Sequence, residues 1–329
     1  MEKRATSGTY KDFQSEFLAC WQRLPNKGFF FALLAAWLAL FQFLGNSTFG
    51  FIPSPSLLRW MYDVYVPKDF SGNQDDVQGL IIPFVVVGIF WWKRKELMAL
   101  SLRMWWPALL LLGGAVVLHI LGYMVQQPRI SIIGLFVGIY GLMGLAWGRE
   151  WLGASFFPFF LFGFCIPLGT LSLSITFPLR LLVCHLVEWV CHFILAIDIV
   201  RDGTALIDPT GHYQYEVAAA CSGMRSLVTT LALALIYAWL SLRKPWKRAI
   251  LIASAFPLAV FGNLLRMLTI VIAAEIWGAK AGNYVHEGGP LGIISLLPYI
   301  PAFGGLFLLA HWLRERKAEP SLTEGQRPA

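Results

Sequence analysis

Charge is the scarcest property of this 329-residue chain. Charged side chains make up 14% of the sequence, against roughly 25% in soluble domains, and acidic residues number only 19. Such a composition argues against a soluble globular protein. The net charge of +7 does not indicate nucleic-acid binding either, because the basic residues are grouped in short segments between apolar runs, where they set membrane topology.

Cysteine is also rare, which excludes a disulfide framework. The five cysteines are Cys20, Cys165, Cys184, Cys191 and Cys221. Four of them lie in or beside apolar segments, where a thiol behaves as a small hydrophobic group. No Cys/His cluster completes a metal site by its spacing, and we expect neither a metal nor a cofactor.

What the chain has in excess is apolar sequence, at 57% of residues, with 14 Trp and 25 Phe. Runs long enough to cross a bilayer as a helix recur along it. We therefore predict an all-α polytopic membrane protein with both termini in the cytoplasm, because basic residues flank both ends. A short interfacial helix is predicted at 57–66. The eight predicted spans are 29–45, 79–92, 105–123, 130–147, 151–169, 224–240, 249–273 and 291–312.

The segment 177–197 decides the predicted topology. It is long enough to cross, but polar side chains recur along it at helical spacing: Arg180, His185, Glu188 and His192. If it crossed as a sixth span, the basic segment 243–248 would face outside, against the positive-inside rule. We therefore interpret it as an amphipathic interfacial or re-entrant helix. Two histidines and a glutamate at this spacing resemble metal ligands, but a solvated helix face explains them better.

Residues 198–217 have a different character, with turn signals at Asp202-Gly203 and at 208–211 between short β-like segments. They predict a small extracytoplasmic β-hairpin that leads to Cys221. Later in the chain, 275–290 is predicted as an outer loop. The first span is expected to serve as the insertion signal, without a cleavable signal peptide.

The sequence AAACSGMRSL at 218–227 places Cys221 at the start of a predicted helix, followed by Ser222 and Gly223. The positive end of a helix favours the thiolate form and hence nucleophilicity. The predicted topology brings two further residues to the same face, Arg266 and His286.

Those three residue types fit one chemistry. A thiolate can act as nucleophile, an imidazole as acid or base, and a guanidinium or amide can stabilise an oxyanion. An arginine inside a span is a functional candidate by default, and Asn263 shares its helix face. Plainer roles stay open: a packed small residue for Cys221, a snorkelling anchor for Arg266 and a loop histidine for His286. Arg225 and Glu216 are further candidates, for which a salt bridge or a hairpin contact is the favoured role.

These motifs resemble the exosortase/archaeosortase family. The family motif A-C-S-G-[LM]-R-S matches 220–226, its N-x-x-R motif matches 263–266, and its histidine before the last span matches His286. The resemblance covers about 150–312. It departs from the usual pattern after the histidine, where Glu287 and two glycines follow. The resemblance implies a polytopic cysteine transpeptidase or protease with Cys221, Arg266 and His286 at the extracytoplasmic face of the cytoplasmic (inner) membrane.

The resemblance also implies the partners. Substrates would be exported proteins that end in a short motif such as Pro-Glu-Pro, a transmembrane helix and a basic tail, and an unknown acceptor would receive the product. Membrane lipid surrounds the enzyme, and nucleic acid is no partner. We expect a cytoplasmic segment at 1–28, one membrane domain at 29–312 with its catalytic core at about 150–312, and a cytoplasmic, disordered tail at 313–329. A transporter, or a non-catalytic scaffold for polysaccharide or protein export, is the alternative.

Overall fold

The structure is a computed structural model that describes residues 3–66, 76–169, 171–216, 224–287 and 299–314. The chain divides into two compact units, residues 1–169 and residues 170–329. Both consist mainly of apolar helices, and the second also carries a small sheet.

The first unit is a set of helices whose described members are α1 (Lys3–Arg23), α2 (Lys27–Leu44), α3 (Leu57–Tyr65), α4 (Gln78–Trp92), α5 (Arg94–Met98), α6 (Ala108–Met124), α7 (Pro128–Trp147) and α8 (Arg149–Phe160). The predicted interfacial helix at 57–66 forms as α3, where the Ser56 hydroxyl accepts a hydrogen bond from the Arg59 N–H and so caps the helix. Four predicted spans, from 29–45 to 130–147, also form as helices.

The predicted span 151–169 was wrong as one continuous helix. α8 ends at Phe160, and a 3₁₀ helix, Leu161–Cys165, takes its place. The 3₁₀ helix ends at Cys165, because Pro167 disfavours helical backbone in the preceding residue, Ile166, which is extended (φ −82°, ψ 112°).

The second unit begins with α9 (Leu171–Val190), which continues as a π-helical turn, Cys191–Leu195. Three strands follow: β1 (Val200–Asp202), β2 (Ala205–Ile207) and β3 (Gln214–Glu216). The remaining described helices are α10 (Met224–Ser241), α11 (Pro245–Trp277), α12 (Ala279–Glu287) and α13 (Ile300–Leu313). Part of the span predicted at 291–312 lies outside the described residues. The tail after residue 314 lies entirely outside them.

Two predictions for this unit need correction. The hairpin is a three-stranded antiparallel sheet in the order β1-β2-β3, because each of the two turn signals joins a pair of strands. The outer loop predicted at 275–290 contains helix α12. Gly278 has a positive φ of 85° and separates α12 from α11.

The described chain contains four helices long and apolar enough to cross a membrane: Lys27–Leu44, Pro128–Trp147, Phe177–Leu195 and Pro245–Trp277. Shorter apolar helices accompany them. The protein is therefore a mostly helical membrane protein. The interfacial placement of 177–197 stays a prediction.

The core of the second unit fixes the sheet against α9 and α11. Leu206 of β2 pairs in register with Tyr215 of β3, and both side chains are buried. They pack with Val187 of α9 and with Met267 and Ile270 of α11. This packing anchors β3, the strand that leads along the chain toward Cys221.

Candidate active site

Arg266 and Asn263 lie in the second half of α11. The Asn263 side chain is 2% exposed, and its Oδ1 atom has no hydrogen-bond partner in the part of the chain that the structure describes. Arg266 is half-buried one turn later. A buried amide and a guanidinium on one helix face can both serve as hydrogen-bond donors to a developing negative charge.

α12 brings His286 to Arg266. The helix turns back from α11 after Gly278, and Nη2 of Arg266 donates a hydrogen bond of 3.4 Å to the backbone oxygen of His286. The His286 side chain is half-buried. The structure therefore places together two of the three residues predicted to be catalytic.

Two tyrosines, Tyr215 of β3 and Tyr213 just before that strand, complete this part of the site. The ring of Tyr215 stacks on the His286 imidazole, with the centroids 6.1 Å apart and the planes 26° apart. Tyr213 stacks on Tyr215 in turn, at 5.4 Å. The imidazole thus has an aromatic wall on one side, and that wall is rooted in the buried sheet.

Hydrogen bonds hold both tyrosines to the corner between α11 and α12. The Tyr215 hydroxyl donates to the Ala279 oxygen at 3.3 Å, and the Tyr213 hydroxyl donates to Oε2 of Glu275 at 3.2 Å. Burial raises the pKa of both phenols, and the nearby Glu275 carboxylate raises that of Tyr213 further. Both therefore stay neutral and keep their hydroxyl protons for these bonds.

Gly282 makes the close approach of Tyr215 possible. A Cβ atom at this position would lie 2.1 Å from the Tyr215 hydroxyl oxygen and 2.8 Å from the Ala274 Cβ. Sequence reasoning missed Tyr213, Tyr215, Glu275 and Gly282. The alternating YQYEV segment predicted a strand, but nothing in it indicated which helix its aromatic face would meet.

The structure does not describe the side chains of the other predicted site residues. Cys221, Ser222 and Gly223 lie outside the described residues, between the end of β3 and the start of α10. Glu216 is the last residue of β3 and Arg225 is the second residue of α10. The structure does not describe the side chain of either residue.

The polar stripe of α9 forms ion pairs with Arg201 of β1 and within the helix. Nε of Arg201 lies 3.0 Å from Oε2 of Glu188, and Nδ1 of His185 lies 3.7 Å from the same oxygen. His185 and His192 are well exposed, whereas Arg180 is buried. Within the described ranges, no group of three or more His, Cys, Asp or Glu could hold a metal ion.

Comparison with known proteins assigns the chain to a family. A search of curated proteins and a search of solved structures gave no match. The family model described as transmembrane exosortase (Exosortase_EpsH) matches residues 71–300, more than two thirds of the chain, and that range contains every site residue discussed above. The chain therefore belongs to the transmembrane exosortase family.

Proposed function

We propose that this exosortase is a cysteine transpeptidase or protease that cleaves the C-terminal sorting signal of exported proteins. The observation that carries the proposal is the contact between Arg266 and His286, beside the strand that precedes the Cys221 segment. A guanidinium that is hydrogen-bonded to the backbone of a histidine brings together two of the three groups that thiol-based acyl transfer requires.

The reaction that we propose has two halves. In the first, the Cys221 thiolate attacks the carbonyl carbon of the scissile peptide bond, and Arg266 donates hydrogen bonds to the oxyanion. The C–N bond then breaks, and His286 gives its proton to the leaving amine, so that the substrate remains as a thioester on Cys221. In the second half, an acceptor amine, a hydroxyl or water attacks the thioester, the neutral imidazole takes the acceptor's proton, and the thiolate is released.

The proposed substrate carries a short motif, a transmembrane helix and a basic tail. The positive-inside rule would keep that tail in the cytoplasm and present the motif at the outer surface. We propose that Cys221 faces the same side, which requires an odd number of crossings before it. One crossing between residues 149 and 197 meets this requirement, whether α8 with its 3₁₀ extension or α9 supplies it.

The proposed organisation keeps a cytoplasmic segment at 1–28, one membrane domain at 29–312 and a tail at 313–329. Its catalytic core spans about 150–312. All described site residues lie in the second compact unit, which begins at residue 170.

The central experiment is processing of a tagged substrate in membranes that contain the full chain. The Cys221→Ala variant should lose processing completely, whereas Cys20→Ala should keep it. Arg266→Gln should lower the rate by roughly 10²–10³-fold, the effect of removing one oxyanion donor. His286→Gln should lower it by roughly 10²–10⁴-fold, the range for a general acid, and His212→Gln, at an exposed turn histidine, should not.

Undiminished processing by Cys221→Ala would overturn the enzymatic proposal and favour a scaffold or a transporter. The orientation has its own test. A membrane-impermeant thiol reagent should label a chain in which Cys221 is the single cysteine. Labelling only after permeabilisation would place Cys221 on the cytoplasmic side.

A further inference from the structure

The ends of several helices meet on one face of the first unit. α1 turns into α2 at Asn26, whose left-handed backbone (φ 52°) changes the direction of the chain. The side-chain nitrogen of Asn26 donates to the Ala146 oxygen at 3.2 Å, and the Trp147 indole donates to the Pro25 oxygen at 3.0 Å. The start of the candidate span α2 is thereby tied to the end of the candidate span α7. α1 therefore lies at a membrane face of this unit and does not extend α2.

α1 presents a row of aromatic side chains on this face. Phe13, Phe17 and Trp21 are spaced by four residues, so they share one side of the helix, and they are 50%, 46% and 39% exposed. Phe13 also packs against Trp91 near the end of α4, with the ring centroids 4.8 Å apart. Exposed aromatic rings at the end of membrane helices are typical of side chains that sit among lipid headgroups.

A cavity of about 370 Å³ opens on the adjacent side of α1, toward α5 and the residue that follows it. This volume lies near the lower end of the range for small-molecule sites, roughly 300–1,000 Å³. Three cations and one anion line it, Arg23, Arg94, Lys95 and Glu16, around a less polar surface that includes Cys20 and Met98. Glu16 forms an ion pair with Arg94, while Arg23 and Lys95 are exposed.

We propose that this cavity binds the headgroup of an anionic phospholipid. The charge surplus complements a phosphate, the less polar surface suits the glycerol and upper acyl segment, and the aromatic row places the cavity at the depth of the headgroups. Arg23 and Lys95 hold the phosphate, and the Glu16 carboxylate competes with it for Arg94. The site does not depend on the proposed reaction. The half of the lining that α1 supplies lies outside the matched range 71–300, so the family match does not extend to the whole site.

The test is lipid binding by the full-length protein in detergent, measured by native mass spectrometry with phosphatidylglycerol and with phosphatidylcholine. Loss of two cations near a membrane surface should weaken phosphatidylglycerol binding about 30-fold in the double variant Arg23→Gln/Lys95→Gln, with no change for phosphatidylcholine. The charge-matched control is Arg103→Gln/Arg149→Gln, at exposed arginines that do not line the cavity, and it should change binding less than about 3-fold.

Glu16→Gln should instead strengthen binding, because it removes the competing carboxylate and leaves Arg94 to the lipid. A gain in affinity cannot come from misfolding, so this variant separates ligand binding from structural damage. Equal phosphatidylglycerol affinity in the wild type and the Arg23/Lys95 variant would overturn the proposal. An equal loss in the control pair, or displacement of the lipid by millimolar inorganic phosphate, would also overturn it, in favour of general surface charge or a free anion.

Discussion

Replacing Gly282 by alanine tests whether the sheet positions the imidazole of His286. The added Cβ would lie 2.1 Å from the Tyr215 hydroxyl oxygen, well inside van der Waals contact. The hydroxyl must therefore retreat by about 1 Å, because overpacked side chains respond by leaving their preferred positions. Its hydrogen bond to the Ala279 oxygen, already 3.3 Å long, would break.

The expected effect on stability is modest. Overpacking lowers the free energy of unfolding by about 1–3 kcal/mol and the lost hydrogen bond by about 1 kcal/mol. The helical preference of alanine over glycine returns about 1 kcal/mol. We expect a net loss of about 1–3 kcal/mol, which thermal unfolding in detergent can measure.

The expected effect on catalysis is larger. Tyr215 stacks on His286, so a displaced tyrosine ring displaces the imidazole. A misplacement of about 1 Å in a catalytic group lowers rates by as much as 100-fold, and we expect kcat to fall roughly 10- to 100-fold. KM should stay nearly constant if Tyr215 acts only by positioning His286.

The assay is cleavage of a tagged substrate by the protein reconstituted in liposomes. The matched control is Gly304→Ala in helix α13, where an added Cβ meets no atom within 4 Å. Tyr215→Phe in the Gly282→Ala background removes the clashing oxygen and should recover part of kcat, as a coupled pair requires. Wild-type kcat in Gly282→Ala, or a loss no greater than in Gly304→Ala, would refute this reasoning.

Three further predictions concern residues of the second unit. The Thr210 hydroxyl lowers the pKa of Asp208, and nearby backbone N–H groups lower it further. The stability that this carboxylate provides is therefore present above about pH 4 and is lost as the pH falls toward the lowered pKa. Asp208→Asn should flatten the acid side of the unfolding profile, and an unchanged profile would contradict this. Arg201→Gln breaks the pair with Glu188 at a partly exposed site and should change the free energy of unfolding by less than about 1 kcal/mol. Asn263→Leu removes a buried acceptor that has no hydrogen-bond partner among the described residues, so the melting temperature should stay the same or rise. Processing of the substrate should fall in this variant. Full activity would exclude Asn263 from the site.

Hydropathy and charge predicted most helices of the fold because both act locally. Apolar runs formed helices close to their predicted bounds, as in α4 and α7, since the membrane requires every backbone group to be hydrogen-bonded within its own segment. The segment 151–169 shows the limit of this method. Its average apolarity predicted a continuous span, but the helix gives way to a 3₁₀ segment after Phe160. Hydropathy averages over a window and does not register where the hydrogen-bonding pattern changes.

The site shows the same division between local and distant information. The N-x-x-R spacing placed Asn263 and Arg266 on one helix face, because a helix fixes the geometry of residues three apart. The tyrosine wall was not predictable in this way. Whether the aromatic face of β3 meets α9, α10 or α12 depends on how the sheet packs, and no spacing within 214–216 carries that information.

The helix at 279–287 explains how a histidine from an apparent loop can have a defined position. Residues 275–290 were predicted as an outer loop, but the segment from Ala279 forms a short helix whose buried Gly282 rests against Tyr215. A helix restricts the backbone of His286 far more than a loop would, and the hydrogen bond from Arg266 and the stacked tyrosine add two constraints from different elements. Catalytic groups are most precise when rigid elements carry them and neighbouring side chains support them. The glycine that admits the tyrosine is therefore expected to matter to the reaction, although it bears no functional group.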